Sequence, residues 1–242
     1  MHLVRLFERA DFSILAFLTG FTGRFHVFDH LVNAISRLDT FKGIALMCLF
    51  WYVWADGRYD ESLYPAIDRH SRLVTVLAGT VLVGALSRCL QVGLHVHQRP
   101  VLSDLGLNFA VTAFNASSLN NWNSFPSDHS MFFFALGTGL WQVNRLAGVI
   151  AFAWTILVID IPRVYLGIHY PSDVLFGALF GFLGMRVFLA LPLEWIEGVI
   201  SRWRRAHQGL FMAGLFLATD EVGHLLADFR ELAHSSMHIL IK

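Results

Sequence analysis

Arg163-Val-Tyr-Leu-Gly-Ile-His169-Tyr-Pro171-Ser-Asp173 runs directly into the apolar stretch Val174 to Leu191, and this junction decides how the chain is read. Pro171 suits the first turn of a helix, where its missing N–H costs nothing. The apolar stretch behind it approaches the ~20 residues that a bilayer crossing takes. Gly177, Gly181 and Gly184 give that helix a face for close packing. His169 and Asp173 lie four apart, so helical or near-helical geometry brings their side chains together. A carboxylate on one imidazole nitrogen fixes the tautomer and leaves the other nitrogen free to attack. Arg163, six residues ahead of the histidine, offers the fork that suits a pair of phosphate oxygens. The stretch reads as a phosphate-handling site with a histidine nucleophile at the mouth of a membrane helix. The plainer alternative is a helix start with a satisfied histidine and a surface arginine.

Composition supports the membrane reading. Of the 242 residues 55% are hydrophobic and 15% charged, below the ~25% charged usual in soluble domains. Mean hydropathy is +0.55. A formal net charge of zero leaves no footprint for nucleic acid. Cys48 and Cys89 both sit in apolar runs, where packing as small hydrophobes is the expectation rather than a disulfide. Glu8 and Asp11 precede the N-terminal apolar run, and no small-residue cleavage pattern follows it, so a cleavable signal peptide is not expected.

Taken in order, residues 1–40 form an amphipathic N-terminal region of interfacial or re-entrant helices. Phe28, Leu31, Val32 and Ile35 carry its helical spacing. A transmembrane core follows over 41–195. Its first span is Phe41 to Ala55, with Trp51, Tyr52 and Trp54 as an interface belt. A polar loop, Asp56 to Arg72, leads to a second span from Leu73 to about Leu94. Arg88 falls in the far third of that span, a costly place for a charge unless it has a role or snorkels. Residues 95–128 read as a long polar loop, in which Asn115-Ala-Ser117 matches a glycosylation acceptor. Ser130 to Val143 and Leu146 to Ile161 are the third and fourth spans, and Val174 to Leu191 is the fifth. Residues 196–242 hold the basic cluster Arg202-Trp-Arg204-Arg205 and a possible sixth span from Leu210 to Ala218, weakened by Asp220 and Glu221. The fold expected is therefore all-α: a polytopic membrane bundle of about five or six transmembrane helices. Placing Arg58, Arg69, Arg72, Arg145 and the 202–205 cluster in the cytoplasm puts Arg99, the start of the third span and residues 163–173 on the opposite face. Arg5, Arg9, Arg24, Arg37 and Lys42 disagree with that orientation.

A second polar group gathers at the start of the third span. Ser127 is a natural N-cap, and helix N-termini attract anions. His129 in that first turn, facing His169, has the chemistry of a general acid. The stretches Gln98-Arg99-Pro100, Pro126-Ser127-Asp128-His129 and Pro162-Arg163-x5-His169-x3-Asp173, in this order, resemble the type 2 phosphatidic acid phosphatase superfamily. That family's pattern is a lysine six residues before Arg-Pro, then Pro-Ser-(Gly/Asp)-His, then Ser-Arg-x5-His-x3-Asp. The resemblance covers about residues 70 to 190. It implies that His169 is the nucleophile and forms a phosphohistidine, that Asp173 orients it, and that His129 protonates the leaving group and later activates water. It further implies that Arg99, Ser127, Arg163 and the backbone N–H of Asp128 hold the phosphate oxygens. No metal or other cofactor is called for, because arginines and a helix terminus supply the charge stabilisation. His95-x-His97 without a carboxylate at fitting spacing is a weak metal signal.

Two positions depart from the family pattern. Pro162 stands where the third motif has serine. Val92 stands where the first has lysine, and Arg88, one turn earlier on the same helix face, is the candidate to supply that charge. Asp160, three residues before Arg163, either orients that arginine or faces water at a helix end.

The function expected is an integral membrane lipid phosphatase acting on a phosphomonoester or diphosphate such as polyprenyl diphosphate or phosphatidate. Its partners would be that substrate and membrane lipids, with no nucleic acid. The location expected is the bacterial inner membrane, with the active site on the non-cytoplasmic face. A phosphotransferase of the same family is one alternative. A non-catalytic scaffold or transporter, with Arg88 and Asp160 lining a path, is the other. The oligomeric state is not legible.

Overall fold

Amphipathic and apolar helical periodicity carries through to the folded chain. A computed structural model describes residues 2–38, 40–56, 68–94, 96–109 and 123–225. Among the described residues ten α-helices follow one another: α1 (His2–Thr19), α2 (His26–Arg37), α3 (Ala45–Ala55), α4 (Arg69–Gly93), α5 (Asp128–Val143), α6 (Arg145–Trp154), α7 (Ile161–Tyr165), α8 (Pro171–Leu189), α9 (Glu194–Ala206) and α10 (Gln208–Gly223). A π-helical turn, Thr155–Asp160, joins α6 to α7, so residues 145–165 form one continuous helix. Among the described residues there is no strand, only an isolated antiparallel bridge between Gln98 and Asn123.

α5 is the central post. It packs on α4, α6 and α8, and Met131, Phe132, Phe133, Leu136 and Leu140 are buried along it. Its contact with α8 depends on small residues. A Cβ on Gly177 would come within 2.6 Å of the Ser127 carbonyl, and one on Gly181 would collide with the Met131 carbonyl. The glycine face read from the sequence therefore meets α5. The outer faces of the long helices carry exposed Leu82, Leu86, Leu157, Leu175, Leu179 and Val187. An apolar exterior of this kind belongs in lipid. Residues 69–93, 145–165 and 171–189 are long and apolar enough to cross a membrane, and a fourth crossing arises if α2 and the helical segment 41–55, bent by 77°, form one broken span. α5 is only 16 residues, about 24 Å at the helical rise, and α10 is equally short.

Several details differ from the sequence reading. Arg69 and Arg72 belong to α4 rather than to a loop, and Arg72 is buried against Glu197 of α9 at 2.9 Å. Trp51 and Trp54 are not an interface belt. Trp51 Nε1 donates to Thr219 Oγ1 at 3.1 Å, and the Trp54 ring packs between Phe50 and Phe211. Asp160 is not at a helix end, because the π-turn carries the helix through it, and it is buried. Cys48 and Cys89 are free, and both are exposed rather than packed. Arg58, His95 and the Asn115-Ala-Ser117 stretch lie outside the described residues.

Candidate active site

Three chain segments converge at the N-terminal ends of α5 and α8. α8 begins at Pro171, and the Asp173 carboxylate folds back so that Oδ2 accepts from the Tyr170 N–H at 2.8 Å. The turn ahead of it closes when the Ile168 N–H donates to the Arg163 carbonyl at 2.9 Å. Gly167 has φ +67° there, the left-handed region that glycine enters without a Cβ penalty. Across from this turn the Ser127 N–H donates to the Asp173 carbonyl at 3.1 Å, tying α5 to α8. Ser127 caps α5, its Oγ accepting from the Ser130 N–H at 3.5 Å.

His169 and Asp173 are both fully buried. His169 Nδ1 stands 2.8 Å from the Ser124 carbonyl and 3.7 Å from Asp173 Oδ2. A carbonyl can only accept, so Nδ1 carries the proton and Nε2 keeps the lone pair. The sequence assigned that orienting role to Asp173 alone. The closer partner is a backbone oxygen, with the carboxylate behind it as an electrostatic support. Nε2 lies 3.5 Å from Arg99 Nη1. Burial lowers the pKa of His169, the Asp173 side chain opposes that shift, and the positive charges of Arg99 and Arg163 reinforce it. The imidazole is thus held in its neutral, nucleophilic form.

Arg99 and Arg163 are 6% and 8% exposed, so both guanidinium groups sit inside the protein rather than on its surface. Arg99 Nη1 also donates to the Ile168 carbonyl at 2.9 Å, which locks it beside the histidine. His129 Nδ1 is 2.9 Å from Asp128 Oδ1, leaving Nε2 to exchange a proton. Asp128 also feels the charges of Arg163 and His169, so His129 and His169 share one electrostatic cluster.

Arg88 reaches this cluster from α4. Its Nη1 is 3.4 Å from Asp128 Oδ2 and donates to Gln91 Oε1 at 2.8 Å. Gln91 Nε2 in turn donates to the Pro126 carbonyl at 2.9 Å. Val92, where the family lysine would stand, is an exposed side chain. Asp160 Oδ1 accepts from Ser130 Oγ at 2.6 Å and lies within electrostatic reach of Arg163. All eight site residues expected from the sequence, Arg88, Arg99, Ser127, Asp128, His129, Arg163, His169 and Asp173, thus fall in one region. Among the described residues no group of three His, Cys, Asp or Glu side chains is placed to hold a metal ion.

The sequence reading missed three residues and one role of a fourth. Ser124 offers a backbone carbonyl, which no side-chain pattern reveals. Asp128 engages His129 with its carboxylate, which the adjacency of the two residues could have suggested. Asn123 Nδ2 donates to the Gln91 carbonyl at 3.0 Å and to the Phe125 carbonyl at 2.7 Å, bracing the loop. Asp11 on α1 accepts from the Ser172 N–H at 2.8 Å and from Ser172 Oγ at 2.6 Å, pinning the N-terminal helix to the start of α8.

Comparison with known proteins agrees with this arrangement. The profile of the PAP2 superfamily matches residues 72–197. The bacitracin transport permease protein BcrC of Bacillus licheniformis is 37% identical over 90 residues, which is 36% of this chain and 43% of that protein. The putative undecaprenyl-diphosphatase YbjG of Escherichia coli K12 is 39% identical over 90 residues, 36% of this chain and 41% of that protein. The match therefore spans less than half the length of either relative. The crystal structure of Aquifex aeolicus LpxE superposes with a TM-score of 0.52 at 20% identity, covering 74% of this chain and 94% of LpxE, and it supports the fold.

Proposed function

This chain belongs to the PAP2 superfamily, and from that membership and the geometry of the site we propose that it is an integral membrane lipid phosphatase that works through a phosphohistidine on His169. The observation that carries this reading is the tautomer. With Nδ1–H held by the Ser124 carbonyl, the Nε2 lone pair faces the buried Arg99. Nε2 attacks phosphorus, the bond from phosphorus to the leaving oxygen breaks, and His129 delivers a proton to that oxygen. His129, now neutral, takes a proton from water. The water oxygen attacks phosphorus, the P–N bond breaks, and inorganic phosphate leaves with His169 restored. Arg99, Arg163, Ser127 and the Asp128 N–H at the α5 terminus hold the phosphoryl oxygens. Arg88, paired with Asp128, adds positive charge on the side of His129 where the leaving group departs. Fixed donors of this kind stabilise the charge that gathers in the transition state.

The substrate is a lipid phosphomonoester or diphosphate, with polyprenyl diphosphate the first choice because a relative carries the name undecaprenyl-diphosphatase. The protein lies in a bacterial inner membrane with this site on the non-cytoplasmic face. The far end of the bundle, where Arg69 and Arg72 open α4 and Arg202, Arg204 and Arg205 lie on α9, supports that orientation by the positive-inside rule. Purified protein should release inorganic phosphate, without any acceptor, when offered polyprenyl diphosphate, phosphatidate, phosphatidylglycerol phosphate and lipid A in turn. Release from one of them, lost in His169→Ala, is the expected outcome. No release without an added acceptor would make the protein a phosphotransferase instead.

A further inference from the structure

The Asp173 carboxylate has a second histidine beside it. Among the described residues its buried Oδ1 has no hydrogen-bond partner, a costly state for a carboxylate oxygen. His97 Nε2 stands 3.3 Å away. On the other side of that ring, Nδ1 is 2.8 Å from Ser124 Oγ. The same hydroxyl is 3.4 Å from the His97 carbonyl, so the shorter contact takes its proton. With Nδ1 accepting, the proton of His97 sits on Nε2, the ring atom 3.3 Å from Asp173 Oδ1.

His97 is also tied to the backbone that holds the nucleophile. The Ser124 N–H donates to the His97 carbonyl at 3.1 Å, and the bridge between Gln98 and Asn123 continues that pairing. The Ser124 carbonyl on this pairing is the one that takes the His169 Nδ1 proton. The ring itself is fixed by edge contacts with Tyr170 at 4.6 Å and Phe125 at 6.4 Å between centroids. Its side chain is 34% exposed while Asp173 and His169 are fully buried, so it stands between the carboxylate and solvent. Asp11 on α1 adds a negative charge on the same side.

We propose that His97 is a positioning residue for the nucleophile: its Nε2 edge supports Asp173 Oδ1 electrostatically at 3.3 Å and it anchors Ser124, so that both groups behind His169 Nδ1 stay in place. The proposal rests on His169 being the nucleophile. It assigns a task to the one described histidine of the His95-x-His97 pair, whose spacing otherwise reads only as a weak metal signal. Removing an outer partner that orients a working histidine lowers its function by about ten- to a hundredfold in metal sites, and a loss in this range is expected here.

The test compares His97→Ala, His97→Gln and His97→Asn, each measured as phosphate release per monodisperse molecule in detergent. A glutamine amide reaches the place of Nε2 and can donate to Asp173. An asparagine amide reaches only the place of Nδ1 and can serve Ser124 alone. The expected result is a kcat at least tenfold down in the alanine and asparagine variants, with KM within twofold of wild type, and most of kcat restored by glutamine. Wild-type kcat in His97→Ala would overturn the proposal. So would a loss carried by KM, or rescue by asparagine and not by glutamine. Failure of the underlying reading is separately visible, since His169→Ala would then still turn over.

Discussion

Paired charge sits at both ends of this helix bundle, and it is arranged differently at each. At one end Arg72 meets Glu197 at 2.9 Å and Arg204 meets Asp68 at 2.9 Å, cation directly on carboxylate. At the other, buried Asp173 faces two histidines, and Asp128 faces His129 and Arg88. The buried Arg99 lies beside His169, its Nη1 3.5 Å from Nε2. Ion pairs of the first kind clamp α4 to α9 and the loop ahead of α4. Histidine–carboxylate contacts of the second kind set tautomers. On the proposed mechanism the same residue types serve stability at one end and chemistry at the other.

The comparison breaks most visibly if Asp173 is only structural. Asp173→Asn should keep the fold and lower kcat strongly, toward the ~10⁴-fold seen for the equivalent change in a serine-protease triad. The backbone carbonyl of Ser124 still holds Nδ1, so the loss should fall short of complete. Activity within tenfold of wild type would show that Ser124 alone orients His169. His129→Ala should lower turnover by roughly 10²–10⁴-fold, and less with substrates whose leaving group is already good. A uniform loss across leaving groups would remove His129 from the acid role.

Arg88→Ala should cost about ten- to a hundredfold in turnover, the worth of one hydrogen bond from a charged donor at ~1.5–3 kcal/mol. Val92→Lys should restore part of it. If phosphate release per folded molecule is unchanged in Arg88→Ala, the contact with Asp128 is structural and Arg88 belongs with the clamps. The clamp end gives the opposite pattern. Glu197→Ala removes the carboxylate that Arg72 meets at 2.9 Å and should cost up to about 3–5 kcal/mol of stability, read as a lower midpoint of thermal unfolding, while activity per folded molecule stays at wild type.

The pH dependence is the gentlest probe. On the proposed mechanism His169 works as the neutral imidazole, and burial, reinforced by Arg99 and Arg163 against the opposing Asp173, lowers its pKa. The acid limb of kcat/KM should therefore fall below the ordinary histidine value of ~6.5. Because the folded value is the depressed one, the unfolded chain takes up the proton first. Stability should then fall as pH drops below ~6.5, until the folded site protonates too. Arg99→Gln should move the acid limb upward, since one of the depressing charges is gone.

What the sequence made legible was local. Pro171 fixed a helix start, Ser127 a cap, and the glycines of α8 a close-packed face, because each depends on a few neighbouring backbone groups. The four-residue spacing of His169 and Asp173 placed them together but ranked them wrongly, since the closer partner of Nδ1 is a carbonyl brought in from Ser124. Pairings across the chain, His97 with Asp173 and Asp11 with Ser172, left no local signal at all. The sequence leaves Asp160 open between orienting Arg163 and facing water at a helix end. A π-turn ahead of the proline lets the helix continue and carries Asp160 inside to meet Ser130.

The central claim is that Nε2 of His169 takes the phosphoryl group. Rapid quench of the enzyme with a lipid substrate labelled on its terminal phosphate, followed by peptide mapping under alkaline conditions that preserve phosphoramidates, tests it directly. The account predicts label on the peptide that contains His169, absent in His169→Ala and accumulating when His129 is replaced and a good leaving group is used. Label on another residue, or turnover that persists in His169→Ala, would contradict it.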